Sequence, residues 1–333
     1  MVNFDAFNQV NVLVIGDVMI DRYLRGSVSR ISPEAPVPVV NLEGEDLRLG
    51  GAANVALNIR AMGATPILCS IVGEDEEGTI FKKLLPESGL INKYILQSPQ
   101  RRTTVKTRVM AGAQHLLRLD QENTHDLSET ETLQLMQVVH EVLETQEIHV
   151  ILFQDYNKGV LSSKVIREVI LESVKRDIPT AVDPKFNNFW AYKHITLFKP
   201  NLKEIRAQAP MPVQATLNSL QEATAYIRAQ LGNQHTLITL SEKGLFLETA
   251  GKGTIIPTQP RAVADVCGAG DTVIGIVALG LGLRMDLNEV ALLANLAGGQ
   301  VCEKVGVVPV NKVQLQEEYM SITANKHTQD VTM

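Results

Sequence analysis

The chain has 333 residues, 45% of them hydrophobic, and carries 31 lysines and arginines against 37 acidic residues for a formal charge of −6. That apolar content supplies a sizeable core and excludes wholesale disorder, and the acidic balance argues against a protein whose main task is gripping nucleic acid through a basic surface. The three cysteines, Cys69, Cys267 and Cys302, stand far apart with no CxxC pair, which suits a reducing cytoplasm better than a disulfide framework.

The elements read in chain order as follows. No basic leader precedes the β-branched run 10–15, which suits a strand covered on both faces and ends at Gly16-Asp17. A strand is expected over 36–42, an alanine-rich helix over 52–62 after Gly50-Gly51, a strand over 66–72 and a helix over 78–85. Residues 102–110 and 115–119 flank Ala111-Gly112-Ala113, a hairpin signature, and with 36–42 they predict a small sheet apart from the main one. From 128 onward helices (128–145, 161–176) alternate with strands (148–153, 179–183, 195–199, 236–240). A β-rich stretch to 257 and two helices, 269–283 and 286–304, complete the expected chain. Such alternation predicts an α/β, doubly wound, mostly parallel sheet with helices on both faces. The longest apolar run, 273–283, is too short to span a bilayer, so no membrane partner is expected.

Four motifs carry chemistry. Gly268-Ala269-Gly270-Asp271 opens an apolar helix, where small residues allow close backbone approach and free first-turn N–H groups attract phosphate; Asp271 would suit a base for a substrate hydroxyl. The same pattern also suits an ordinary helix start with an acid in its first turn. Gly50-Gly51 with Asn54 reads either as tight strand–helix packing or as contact with a polyol. Asp17 and Asp21 follow the first strand, at the edge where open α/β sheets bind ligands; one would meet sugar hydroxyls while the other caps a turn. Asn201-Leu202-Lys203-Glu204 reads as a capped helix start or as an amide and carboxylate arranging metal-bound waters, a sparse site that suits Mg²⁺. Lys106, Arg108, Arg118, Lys158 and Lys185 would form an anion pocket if one cleft gathered them. No HExxH or GxSxG pattern supports metallohydrolase or serine-hydrolase chemistry.

Taken together and in this order, these motifs resemble the PfkB, or ribokinase-like, carbohydrate kinases over about residues 10–315. The segments 16–23 and 30–40, with Asp155-Tyr156-Asn157-Lys158-Gly159, Asp183-Pro184-Lys185 and Leu117-Arg118-Leu119-Asp120, are similar to the D-glycero-β-D-manno-heptose 7-phosphate kinases within that family. The resemblance implies one ribokinase-like kinase domain over 1–333, with a small β lid of about 22–48 and 98–120 that pairs between subunits in a homodimer. It implies ATP and Mg²⁺, with Asp271 as catalytic base and Gly268, Ala269 and Gly270 as anion hole. Asn201 and Glu204 fall at the metal–phosphate site, metal held through water, and ATP would lie along 201–204, including Leu202 and Lys203, the turn with Ser241 and Gly244, and the helix carrying Asn295. The sugar would meet Asp21, Gly50, Gly51, Asn54 and Asp155, and its 7-phosphate Lys106, Arg108, Lys158 or Lys185. Cys267 stands where close relatives usually carry threonine. The bifunctional relatives continue into a nucleotidyltransferase domain with an HxGH signature, which this sequence lacks; phosphorylation without adenylylation is expected, the latter falling to a separate partner. Kinases for ribose, fructose or fructose 6-phosphate, and a catalytically silent sugar or nucleotide sensor, remain the alternatives.

Overall fold

The computed structural model describes residues 2–112 and 114–330, so Ala113 of the expected hairpin lies outside the described residues. The first half of the chain runs β1 (Asn11–Gly16), β2 (Val18–Ile31), β3 (Pro38–Gly51), α1 (Ala52–Ala61), β4 (Thr65–Gly73), α2 (Glu76–Glu87), β5 (Ile95–Ser98), β6 (Val105–Ala111), β7 (Gln114–Gln121) and α3 (Glu129–Thr145). It continues with β8 (Val150–Gln154), α4 (Ser163–Lys175), β9 (Thr180–Asp183), β10 (Leu197–Phe198), α5 (Leu202–Gln208), α6 (Leu217–Leu231), β11 (His235–Thr239), β12 (Leu245–Thr249), β13 (Lys252–Ile256), α7 (Ala269–Gly282), α8 (Leu287–Cys302) and α9 (Lys312–Asp330).

Nine strands form the main sheet in the order β13-β12-β11-β10-β9-β8-β1-β4-β5, parallel from β11 to β5 and antiparallel at β12 and β13. The β1 run is apolar throughout because both its faces are covered. Val12 and Val14 enter the core beneath α1, α7 and α8, while Leu13 and Ile15 enter the core beneath α3, α4 and α6. The helix α7 is buried along nearly its whole length, packed against α1 and α8, which explains an apolar run with no polar face.

Four strands form a second sheet in the order β3-β2-β6-β7, with β2 antiparallel to β3 and parallel to β6. Its residues are 18–51 and 105–121, wider at the first segment than sequence alone suggested. The strand expected over 36–42 starts at Pro38 and continues to Gly51, and its partner β2 was not legible as a strand. Two further differences concern the core: β5 joins the main sheet beside β4, and the helices α6 and α9 were not expected as elements, whereas α5 follows the capped start read at Asn201. The first segment leaves β1 just after Gly16 and returns at Gly51, paired with Val18, so the small sheet starts at the C-terminal end of β1, beside the end of β8.

Candidate active site

The site begins at the first turn of α7. Gly268 is its N-cap, in a left-handed conformation (φ 80°) that glycine adopts without strain, and no side chain caps this helix end. The N–H groups of Gly270 and Asp271 therefore face the cleft with no i−4 partner. Asp271 is buried, and three neutral donors hold it. Asn54 Nδ2 donates to Oδ2 at 2.8 Å, while Gln154 Nε2 at 3.0 Å and the Tyr156 hydroxyl at 2.7 Å both donate to Oδ1. Burial pushes its carboxyl up to about 6, against the hydrogen bonds from Asn54 and Tyr156. Asn54 is set by α1, whose next turn supplies Asn58; that amide donates to the Asn54 carbonyl and accepts from Thr272 of α7.

Beside this turn lies a buried cluster of charge. Asp183, at the end of β9, takes the Lys185 ammonium at 3.0 Å and the Lys199 ammonium at 3.1 Å; burial raises its carboxyl, but the two ammonium groups prevail and hold it below the usual range. Lys185 also reaches Glu204 Oε1 at 3.1 Å. A Cβ built on Gly270 would stand 3.9 Å from Lys199 Nζ, so this ammonium borders the uncapped helix end. Asn201 and Glu204 form a reciprocal capping box at the start of α5: each side chain accepts the other's backbone N–H at 2.8 Å. The residues thus form the capped helix start, and the cap leaves Glu204 Oε1 facing the Lys185 of the cluster. Among the described residues no three His, Cys, Asp or Glu side chains form a metal cage. The hard oxygen donors of Asn201 and Glu204 nevertheless fit a Mg²⁺ that keeps most of its waters. Leu202 packs against the core and Lys203 is exposed.

On the other side of Asp271, the second sheet contributes Asp21, Lys106 and Arg108. Arg108 Nη1 meets Asp21 Oδ1 at 2.5 Å, and a Cβ on Gly50 would run into the same carboxylate, so Gly50 is required by close approach. Gly51 sits at φ 61° with the Asp17 carbonyl against it. Lys106 stands 5.2 Å from the Tyr156 ring centroid, and Lys185 5.4 Å. Of the two aspartates after β1, Asp17 is the structural one: it accepts the backbone N–H groups of Tyr156, Lys158 and Val160 at 2.8–3.0 Å and so ties down the loop after β8.

Four further residues singled out from the sequence have the following surroundings. Asp155 is buried, its Oδ1 accepting the Asn157 N–H and its Oδ2 the Tyr192 hydroxyl, with Asn188 at 3.5 Å, and these bonds brace the loop from within. Lys185 is held between two carboxylates, Asp183 and Glu204, while its ammonium also stands over the Tyr156 ring. Arg118 is exposed and bonded to Asp120 on β7, outside any pocket. Lys158 is half-buried and paired with Glu122 at 2.8 Å.

A cavity of about 680 Å³ adjoins the first turn of α7. Ser241 and Gly244 line one wall, Asn295 and Gly298 of α8 another, and Ala269 and Gly270 its inner end, with Val263, Val266 and Val273 adding apolar surface. Ser241 (φ 55°) and Gly244 (φ 92°) shape the turn between β11 and β12, and Asn295 is fixed by donating to the Pro257 carbonyl at 2.8 Å. Asn201 does not line the cavity but bridges to Thr239, which does. Cys267 lies at the loop's other flank, where burial and then its bond to Asp265 raise the thiol to about 11, so it stays protonated near neutrality.

Gln154, Tyr156, Asp183 and Lys199 were assigned no role from sequence. Three of the four stand at or just beyond the C-terminal ends of β8, β9 and β10, the edge where parallel sheets bind ligands, and strand ends were a signal that could have found them.

Known proteins share both the sequence pattern and the fold of this chain. Residues 9–313 match the pattern of the pfkB family carbohydrate kinases. The chain is 40% identical over 310 residues to the bifunctional protein HldE of Campylobacter curvus, covering 93% of this chain and 65% of that protein. It is 41% identical over 313 residues to the protein of that name from Trichlorobacter lovleyi, covering 94% and 63%. The chain therefore spans somewhat under two thirds of these relatives' length. Among solved structures, Escherichia coli phosphofructokinase-2 in complex with potassium superposes with a TM-score of 0.78 at 19% identity, over 94% of this chain and 99% of that one. Arabidopsis thaliana ribokinase complexed with ribose and ATP gives 0.70 at 18%, over 92% and 98%. The nine-stranded sheet, the small second sheet and the matched sequence pattern lead to one assignment: the chain belongs to the pfkB family of carbohydrate kinases.

Proposed function

We propose that this protein transfers the γ-phosphoryl group of ATP to the anomeric hydroxyl of D-glycero-β-D-manno-heptose 7-phosphate, giving the 1,7-bisphosphate as a cytoplasmic step toward ADP-heptose and the lipopolysaccharide core. The observation that carries the reading is Asp271, buried at an uncapped helix end between a large cavity on one side and the lid cations Lys106 and Arg108 on the other. The HldE name of the relatives supports the heptose assignment. Adenylylation of the product falls to a nucleotidyltransferase activity outside the residues described here.

The nucleotide lies in the cavity against Ser241, Gly244 and Asn295, with its phosphates at Gly268, Ala269 and Gly270. The sugar lies under the lid near Asp21, Gly50, Gly51 and Asn54, its 7-phosphate on Lys106 and Arg108, with Lys158 at the rim. Asp271 takes the proton of the attacking hydroxyl, and the N–H groups of Gly270 and Asp271 receive the charge that grows on the transferred group. Lys185 and Lys199 bring two ammonium groups to the same end. Asn201 and Glu204 would hold, through water, the Mg²⁺ carried with the nucleotide, which would supply further neutralisation of the phosphate oxygens.

A second subunit would cover the lid. Ile31, Leu42, Leu117 and Leu119 are each more than half exposed on the second sheet, an apolar surface that suits burial against its own copy.

The test is ADP release with ATP–Mg²⁺ and a panel of heptose 7-phosphate, fructose 6-phosphate, ribose and fructose. Turnover confined to heptose 7-phosphate is expected. Turnover only with another sugar overturns the heptose assignment, and silence with all four favours a sensor.

A further inference from the structure

The motif around Tyr156 has so far been given no chemical role, yet its phenol is among the groups nearest the base. Tyr156 hydroxyl donates to Asp271 Oδ1 at 2.7 Å, and Gln154 Nε2 donates to the same oxygen at 3.0 Å. A carboxylate oxygen has two lone pairs, so Oδ1 is saturated. Among the described residues Oδ2 receives only Asn54 Nδ2, at 2.8 Å, and keeps one lone pair.

We propose that Tyr156 is a positioning residue for the base: its phenol, fixed as a donor to Oδ1, orients the Asp271 carboxylate so that Oδ2 receives the proton of the substrate hydroxyl. This rests on Asp271 acting as the base.

The backbone of Tyr156 is fixed independently of the base. Its N–H is bound by Asp17 Oδ2 at 2.8 Å, that of Lys158 by the same oxygen at 3.0 Å, and that of Val160 by Oδ1 at 3.0 Å. Arg101 Nη2 donates to the Lys158 carbonyl at 2.6 Å, and Asn157 (φ 54°) and Gly159 (φ 90°) turn the chain between these anchors. A segment held at four points presents its side chain in one place. Burial, then the neighbouring carboxylates Asp271 and Asp183, raise the phenol well above its usual value, so it serves only as a donor near neutrality. The charged groups facing the pair are Asp183 at the end of β9 and Lys185 just after it, and Asp21 and Lys106 from the lid. Tyr156 therefore touches at once the base, a lid cation and a cation of the phosphoryl end.

In the reaction the substrate's O–H bond breaks as its oxygen bonds to the γ-phosphorus. The proton passes to Oδ2, the bond from phosphorus to the departing ADP oxygen breaks with its electron pair going to ADP, and Tyr156 keeps its own proton. Losing the phenol removes a hydrogen bond that favours the ionised carboxylate.

The experiment is the pH dependence of kcat/KM for heptose 7-phosphate with saturating ATP–Mg²⁺, comparing the parent with Tyr156→Phe, which keeps the ring and its contacts with both lysines. We expect kcat to fall about 10- to 100-fold, KM to change by less than about threefold, and the acid limb to move to higher pH by about one unit. An acid limb that stays in place, whatever kcat does, overturns the proposal. Incorporating 3-fluorotyrosine at 156, a more acidic phenol of nearly the same size, gives a second reading: the acid limb should move to lower pH, and a limb unmoved by it counts against the proposal equally. Asp271→Asn separates the two layers of inference. Full turnover in Asp271→Asn removes the base and this proposal with it, whereas an inactive Asp271→Asn beside an unmoved limb in Tyr156→Phe removes only the role of Tyr156.

Discussion

Replacing Asp271 by Asn tests the base assignment through stability as well as rate. The parent carboxyl is 5% exposed and raised from 3.8 to about 6, first by burial. Between those two values the folded chain holds a proton that the unfolded chain has released, so stability falls as pH rises through this window. The penalty is absent below about pH 4 and complete above about pH 7. At 1.36 kcal/mol per pH unit, the rise from 3.8 to about 6 corresponds to about 3 kcal/mol. Asparagine cannot ionise and removes that penalty, but its amide sets donor against donor at Asn54 or at the Gln154–Tyr156 pair, which costs about 1–3 kcal/mol at every pH. The absolute change at neutral pH is therefore small, and the informative quantity is its pH dependence. Relative to the parent, Asp271→Asn should gain about 3 kcal/mol between pH 4 and pH 8. Asp155, also raised to about 6, contributes equally to both proteins and cancels. Urea unfolding at several pH values reads this difference, and kcat at pH 8 should fall roughly 10²–10⁴-fold. A stability difference that is flat with pH would refute the buried, ionisable carboxylate, and near-full kcat would refute its role as base.

Three other outcomes are expected. Gly270→Ala places a methyl 3.8 Å from Asp183 Oδ2 and 3.9 Å from Lys199 Nζ, ordinary contact distances, so thermal melting should hardly change while kcat drops at least about tenfold because the phosphoryl group loses its close approach. Arg108→Met should raise KM for heptose 7-phosphate about tenfold or more and leave KM for ATP unchanged, which initial-rate kinetics will decide; it also frees Asp21, so Asp21→Asn with Arg108→Met separates loss of the clamp from a stranded carboxylate. Leu117→Lys with Leu119→Lys should turn a lid-paired dimer into monomers in sedimentation velocity, and an unchanged dimer would move the interface elsewhere.

How much was legible in the sequence follows from how local each signal is. The strand β1 and the helix α7 are covered on all sides, so their apolar runs are continuous and unmistakable. The strand β2 passes from buried Val18, Met19 and Ile20 into exposed, charged residues interrupted by Gly26, and its second half has no core face to impose alternation. The helix α6 buries Leu220, Ala223, Thr224, Ile227 and Leu231, a true helical stripe, but two of its five members are small or polar and the pattern is faint. The helix α9 is mostly polar and docks through Leu315 and Tyr319. At the site, Gly50-Gly51, Asn201–Glu204 and Gly268–Asp271 were readable because a loop or helix start needs those residue types within a few positions. Gln154, Asp183 and Lys199 are joined only by the parallel register of β8, β9 and β10, which single residues at strand ends do not announce. The ion pairs of Lys185 were not legible either, because its partners Asp183 and Glu204 lie on separate elements.

Burial alone does not select the base among the acids of this cleft. Asp17, Asp155, Asp183 and Asp271 are all buried, and each is treated differently. Asp17 faces three backbone N–H groups and serves as a clamp for the loop that carries Tyr156. Asp183 is matched by two ammonium groups and stays ionised as the anchor that keeps Lys185 and Lys199 beside the uncapped helix. Asp155 and Asp271 share a carboxyl near 6, so a titration curve would not tell them apart. Each receives three donors, so the count of bonds does not separate them either. Place does, for Asp155 is 1% exposed among Asn157, Asn188 and Tyr192, whereas Asp271 is 5% exposed in the first turn of α7, next to the Ala269 and Gly270 that line the large cavity, and its open lone pair is on Oδ2. A base that must gain a proton and then return it needs that combination: no cation bonded to it to suppress its basicity, enough donors to keep it ionised near pH 7, and one free lone pair next to the N–H groups that receive the transferred charge.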